Sequence, residues 1–180
     1  MKSKRCKQCK EVFMPQRPLQ YLCGIWCATK YLANQKIKKE KKELIEMKKS
    51  LLTISDLKKE AKIYFQKWIR IRDNSLGYNC ISCNTKITIP TSDGSHYFDA
   101  NKFSGLIFNE MNCHASCQQC NRFFAGNLLE YREGLIKRYG IEYLNKLESL
   151  KDYGREKKYT REELIDIKNK YAKLIRDSKK

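Results

Sequence analysis

Two C-x-x-C pairs, Cys80 with Cys83 and Cys117 with Cys120, constrain this chain more than any other feature. Each pair lets two thiolates from one tight turn occupy two corners of a tetrahedron around zinc, and together the pairs close it. Turn-forming Asn79, Asn84 and Asn121 border them, as the backbone reversals of such a site require. The competing assignment is a set of disulfides or buried thiols. The opening Met1, Lys2, Ser3, Lys4, Arg5 is followed by no apolar stretch resembling a signal peptide, and no run is long enough to span a bilayer. The expected location is therefore the cytoplasm, where reducing conditions favour metal-bound thiolates over cystine.

Cys6, Cys9, Cys23 and Cys27 form a second set, spaced C-x-x-C then C-x-x-x-C, an arrangement shared by zinc ribbons and treble-clef knuckles. It reads as a separate structural zinc module over residues 1–33, with Phe13, Tyr21 and Trp26 supplying a very small core. Of the nine cysteines, Cys113 is the odd one, and the tighter spacing of Cys117 and Cys120 makes it a free, buried thiol.

With 32% charged residues in a chain of 180, apolar material for a large core is limited, and metal makes up part of the deficit. The formal charge of +18 suits a polyanionic partner, and in a cytosolic protein that is nucleic acid before membrane. Residues 34–54 read as a basic linker helix, because the stretch from Lys36 to Leu44 is rich in helix formers and free of glycine and proline. Lys38, Lys39, Lys41 and Lys42 on it are candidate DNA contacts, together with Arg122. Ile37, Leu44 and Leu51 recur every seven residues, too short a span for a coiled coil, so a solvated helix is favoured over a dimer seam.

Residues 55–140 hold the central cysteines and residues 141–180 a C-terminal helical extension. Ser55 and Asp56 are candidate caps for a helix whose Leu57, Ala61, Tyr64, Phe65, Trp68 and Ile69 form one apolar face. Lys86 to Ile89 reads as a short strand before Pro90, with another beginning between Ser95 and Phe98. Gly126 and Asn127 precede a helix from Leu128 to Tyr139 that stops at Gly140, and Thr160 with Glu163 forms a capping box for the last helix.

Cleaving a phosphodiester requires an activated water, charge relief on the phosphate and stabilisation of the departing oxygen. His96, one of two histidines, sits beside Gly94 and Ser95 where a strand edge can present its ring, and a neutral imidazole can take a proton from water at cellular pH. Asn112 is placed to hold one ring nitrogen through its amide. Asn121, at the expected start of a helix, offers a side-chain oxygen to a magnesium or manganese ion. Four cysteine ligands leave zinc no open position, so zinc braces the site and takes no part in the chemistry.

His96, Asn112 and the run Cys117, Gln118, Gln119, Cys120, Asn121 resemble the H-N-N form of the HNH, or ββα-metal, nuclease motif, and the C-x-x-C-N ending is similar to that of phage endonuclease VII. The longer string Cys80, Cys83, Asp93, His96, Tyr97, Phe108, Asn109, Glu110, Asn112, His114, Gly126, Asn127 resembles the NinG (Rap) recombination proteins of lambda-like phages, nearly end to end. The resemblance implies an α+β, mostly helical fold with a small zinc-braced ββα-metal core, an N-terminal zinc module and flanking helices. It also implies cutting of branched recombination intermediates such as Holliday junctions, D-loops and flaps. In that pattern His96 is the general base, Asn112 its orienting residue and Asn121 an ion ligand. Ser95 stands where many such nucleases carry an acidic ligand, so Asp93 becomes the first candidate for the second ligand, ahead of His114 and Asp99.

Two other classes compete: a non-catalytic zinc protein that binds DNA junctions or a recombination partner, and an RNA-binding zinc protein, which leaves the His96, Asn112 and Asn121 spacing unexplained. Symmetric cutting of a four-way junction would suit a homodimer.

Overall fold

The computed structural model describes residues 2–179, which divide into two units, one ending at Leu52 and the other beginning at Thr53. In the first, β1 (Lys4–Arg5) and β2 (Val12–Phe13) pair antiparallel, with Lys4 opposite Phe13. The turn between them is a cysteine knuckle. Lys10 N donates to the Cys6 carbonyl at 3.0 Å, Cys6 N donates to the Glu11 carbonyl at 2.8 Å, and Lys10 takes a left-handed φ of 68°. Helix α1 (Ile25–Ser50) follows, with Cys27 buried in its first turn. The expected aromatic core is absent, because Trp26 is 67% exposed and Tyr21 45% exposed. Among the described residues of this unit only Cys6, Pro15 and Cys27 are buried, so its interior is the thiolate cluster itself. Helix α1 runs unbroken past residue 33, joining the expected module and linker helix in one unit that ends near residue 52.

The second unit opens with α2 (Ile54–Ser75). Its cap is Thr53 and not Ser55: the Thr53 hydroxyl accepts from Asp56 N, and the Asp56 carboxylate accepts from Thr53 N, closing a capping box two residues earlier than the first expected cap. Helix α2 buries Leu57, Ala61, Phe65 and Ile69, and α6 (Arg161–Asp177), capped by Thr160 and Glu163 as expected, buries Leu164, Tyr171 and Ile175. The two helices pack together, the Phe65 and Tyr171 rings meeting edge-on at 5.0 Å.

Strands β3 (Ser92–His96) and β4 (Cys113–Cys117) form the antiparallel hairpin, pairing Ser92 with Cys117 and His96 with Cys113. The strand therefore begins earlier than Ser95 and ends at His96. Lys86 to Ile89 is not a strand, since it has no pairing partner; the Thr91 hydroxyl takes the Thr88 N–H and Arg70 takes the Ile89 carbonyl. After a short wide turn (Gln119–Phe123) come α3 (Leu128–Tyr139), α4 (Ile141–Glu148) and α5 (Lys151–Glu156). Ile81, Leu106, Tyr131, Leu135, Leu144 and Leu147 make the core beneath them.

The end of α2 is tied to β4 through charge. Buried Asp73 accepts from Ala115 N at 2.7 Å and from Arg72 Nε at 2.8 Å, while Arg72 also donates to the Cys113 carbonyl at 3.1 Å. The whole is α+β and mostly helical, with no helix among the described residues long and apolar enough to cross a membrane.

Candidate functional site

Each of the two cysteine sets converges to a cluster whose sulfur atoms all lie within 4.8 Å of one another. Zinc–sulfur bonds of about 2.3 Å in a tetrahedron place sulfurs about 3.8 Å apart. Cys9 and Cys23 stand 3.7 Å apart, Cys23 and Cys27 3.4 Å, and Cys83 and Cys117 3.7 Å, so both clusters fit a closed four-thiolate zinc centre. The knuckles are built alike: Asn84 N donates to the Cys80 carbonyl at 3.0 Å and takes a φ of 57°, repeating what Lys10 does after Cys9. Cys113 lies outside the cluster, fully buried, and burial pushes its thiol well above the ordinary range.

His96 ends β3 and lines a cleft of about 380 Å³ that it shares with Lys62, Gln66, Asp99 and Asn121. Its Nε2 lies 2.9 Å from the Ile107 carbonyl. A carbonyl only accepts, so Nε2 carries the proton and Nδ1 keeps its lone pair, the tautomer a base needs. Burial lowers the ring's pKa to about 4, with Lys62 adding to the shift against the Ile107 carbonyl and Asp99. The ring is therefore neutral at cellular pH.

Asn112 does not touch His96. Its side chain is fully buried, with Oδ1 accepting from Phe98 N at 2.7 Å and Nδ2 donating to the carbonyls of Phe98 and Leu106, both at 3.1 Å. It thereby staples the connection between β3 and β4 next to the Ile107 carbonyl that orients His96. Asn112 is linked to the ring only through backbone: its amide bonds the Leu106 carbonyl, and the next carbonyl, of Ile107, meets His96 Nε2.

Asn121 lies in the single wide helical turn Gln119–Phe123, a π-helix that precedes α3, so it does stand in a helical turn but not in the longer helix that follows. Its Nδ2 donates to Asp93 Oδ2 at 3.1 Å, which brings two oxygen-bearing side chains from hairpin and turn together. Arg122 closes on the same carboxylate, Nε to Oδ2 at 2.7 Å and NH2 to Oδ1 at 2.9 Å. That guanidinium, with Asn121, holds the Asp93 carboxyl below the usual range against partial burial. One or two protein oxygens completed by water and a phosphate suit magnesium, so Asp93 and Asn121 fit such an ion provided Arg122 yields.

The other candidate ligands are placed differently. His114 is buried among tyrosines: Tyr131 donates to the Ser95 carbonyl at 2.9 Å, so its oxygen must accept from His114 Nδ1 at 3.1 Å, and Tyr143 donates to Nε2 at 3.3 Å. Both ring nitrogens are used. Asp99 borders the cleft, but its Oδ1 accepts from Asn101 N and Lys102 N as a turn residue. Lys38, Lys39, Lys41 and Lys42 stand exposed on α1, with Lys39 and Lys42 facing Glu43 and Glu46 one turn on.

Sequence reasoning missed Lys62, Gln66 and Arg70, which recur one helical turn apart along α2 and line the cleft and its continuation past Asp93. Their signal was present as a polar i, i+4, i+8 ridge, hidden because the opposite, aromatic face of α2 draws the eye.

The chain matches, over residues 1–180, the family model described as Bacteriophage Lambda NinG protein. Protein ninG of Salmonella phage P22 is 32% identical to it over 194 residues, covering 97% of this chain and 93% of the relative. Protein ninG of Escherichia phage lambda is 32% identical over 194 residues (97% and 92%), and that of Escherichia phage 933W is 33% identical over 192 residues (97% and 92%). No solved structure gives a significant match. With a family match over the whole chain and relatives aligned along nearly all of it, this protein is a member of the NinG family.

Proposed function

We propose that this chain is a divalent-ion-dependent endonuclease that cuts branched DNA intermediates of phage recombination. The observation that carries the reading is that His96, with its tautomer set by the Ile107 carbonyl, opens into the same cleft as Asn121. His96 Nδ1 takes the proton of the attacking water. Asn112 keeps the Ile107 carbonyl in place, and Asn121 with Asp93 offers the ion its oxygens. A bound magnesium or manganese ion supplies charge relief on the scissile phosphate and on the departing oxygen. Lys62 adds positive charge beside His96, and the zinc centre at Cys80, Cys83, Cys117 and Cys120 anchors the turn that carries Asn121. The branched substrate class follows from the family likeness.

The test is a time course of nicking on labelled four-way junction, flap and linear duplex DNA with magnesium, for wild type and His96→Ala. Cuts near the branch that disappear in the variant, while zinc content and DNA affinity hold, support the reading. Tight junction binding without cutting under any divalent ion would point to a non-catalytic zinc protein.

A further inference from the structure

We propose that Arg122 is a DNA-phosphate ligand held in reserve by Asp93, released when a divalent ion takes the Asp93 carboxylate. The inference rests on the nuclease reading above. Arg122 grips both oxygens of Asp93, and Asn121 Nδ2 shares one of them, so the carboxylate has no unengaged oxygen for an ion. Arg122 and Asn121 together use three of the carboxylate's roughly four lone-pair sites, and a cation seated on the same group is repelled by the guanidinium beside it, so ion and Arg122 weaken each other's hold on Asp93. The pair is open to exchange: the Arg122 side chain is 54% exposed against 20% for Asp93, so water and salt screen it more than a buried pair. Asn121 Oδ1 accepts no hydrogen bond among the described residues and remains available once the carboxylate turns to the ion.

Displaced from Asp93, the guanidinium stays on the residue next to Asn121, at the edge of a groove where Arg70 and Lys62 already add positive charge. A planar fork of this kind binds a phosphate with the same paired geometry it used on the carboxylate. Ion and DNA then favour each other. Because binding linkage is reciprocal, the ion should tighten DNA binding by the same factor that DNA tightens ion binding.

The experiment measures manganese binding to the zinc-loaded, full-length protein by electron paramagnetic resonance, for wild type, Arg122→Gln, Arg70→Gln and Asp93→Asn. Junction affinity with and without manganese is then measured in a His96→Ala background, which leaves the DNA uncut. Arg122→Gln should bind manganese about fivefold more tightly than wild type, and Asp93→Asn should lose the site. In the His96→Ala background, manganese should tighten junction binding, and Arg122→Gln should cut that gain at least threefold. Arg70→Gln removes a charge from the same groove without freeing Asp93, so its effect on manganese should be clearly smaller. Equal manganese affinity in wild type and Arg122→Gln, or equal tightening by Arg70→Gln, would overturn the exchange and leave the nuclease reading standing. Absence of any Asp93-dependent manganese binding would overturn both.

Discussion

His96 and His114 show how one residue type is sent to two fates by its hydrogen-bond partners. A single carbonyl engages one His96 nitrogen and leaves the other without a partner among the described residues, whereas two tyrosines engage both nitrogens of His114. Burial lowers the pKa of each ring, that of His114 well below the ordinary value. Since the unfolded chain binds these protons first, stability is complete above about pH 6.5 and is lost as pH falls toward the folded values. For His114 the slope approaches about 1.4 kcal/mol per pH unit. We expect the melting temperature to drop between pH 7 and pH 5.5, and a His114→Gln variant, less stable at pH 7, to drop less steeply. Zinc content measured at each pH separates this from acid release of metal, and parallel slopes for the two proteins would refute it. Asn112→Ala removes three buried hydrogen bonds at the connection beside Ile107. It should destabilise by about 2–4 kcal/mol, and cutting should fall even where the variant remains folded, as a denaturant melt and a nicking assay on the same sample would show.

At the scale of elements, packing explains a residue that propensity disfavours. Gly134 sits inside α3, where glycine costs about 1 kcal/mol relative to alanine. A Cβ there would lie 1.8 Å from the Ile81 carbonyl oxygen, so α3 can rest on the Cys80 knuckle only through glycine. Ile81 N in turn donates to the Ala115 carbonyl, tying knuckle, helix and β4 together. Gly134→Ala should therefore destabilise by about 2 kcal/mol or more despite its better helix propensity. A urea melt showing equal or greater stability would contradict the close approach. Helix starts are legible where capping boxes occur: Thr160 is the cap as expected, whereas at α2 Thr53, Ser55 and Asp56 all fall within four residues and only geometry selects Thr53.

Across the whole molecule, each of the two units carries one four-cysteine cluster. The first unit has scarcely any apolar interior, so we expect its fold to need a metal on the cysteines; the second has packed helices as well. Cys6→Ser should lower zinc from two ions per chain to one while leaving the main melting transition in place. Cys83→Ser should also lose one ion, but with it the main transition and all cutting. Metal analysis and calorimetry on the two variants decide this, and equal effects on the main transition would show that the units are not independent in stability.

Cysteine spacing by itself determined both four-cysteine clusters, since ligand geometry is local and a C-x-x-C turn carries most of it. Helical periodicity likewise determined α2, α3 and α6, whose apolar faces repeat within a few turns. What only the tertiary structure decided was the set of partners. Asn112 serves the Ile107 carbonyl's segment and not His96, Arg122 occupies Asp93, and Lys62, Gln66 and Arg70 border the cleft. Asn112 reaches 6 to 14 positions back along the chain, Arg122 reaches 29 positions to Asp93 and Gln66 reaches 28 to Gly94, and no local pattern encodes which side chain will meet which once α2 packs against the hairpin.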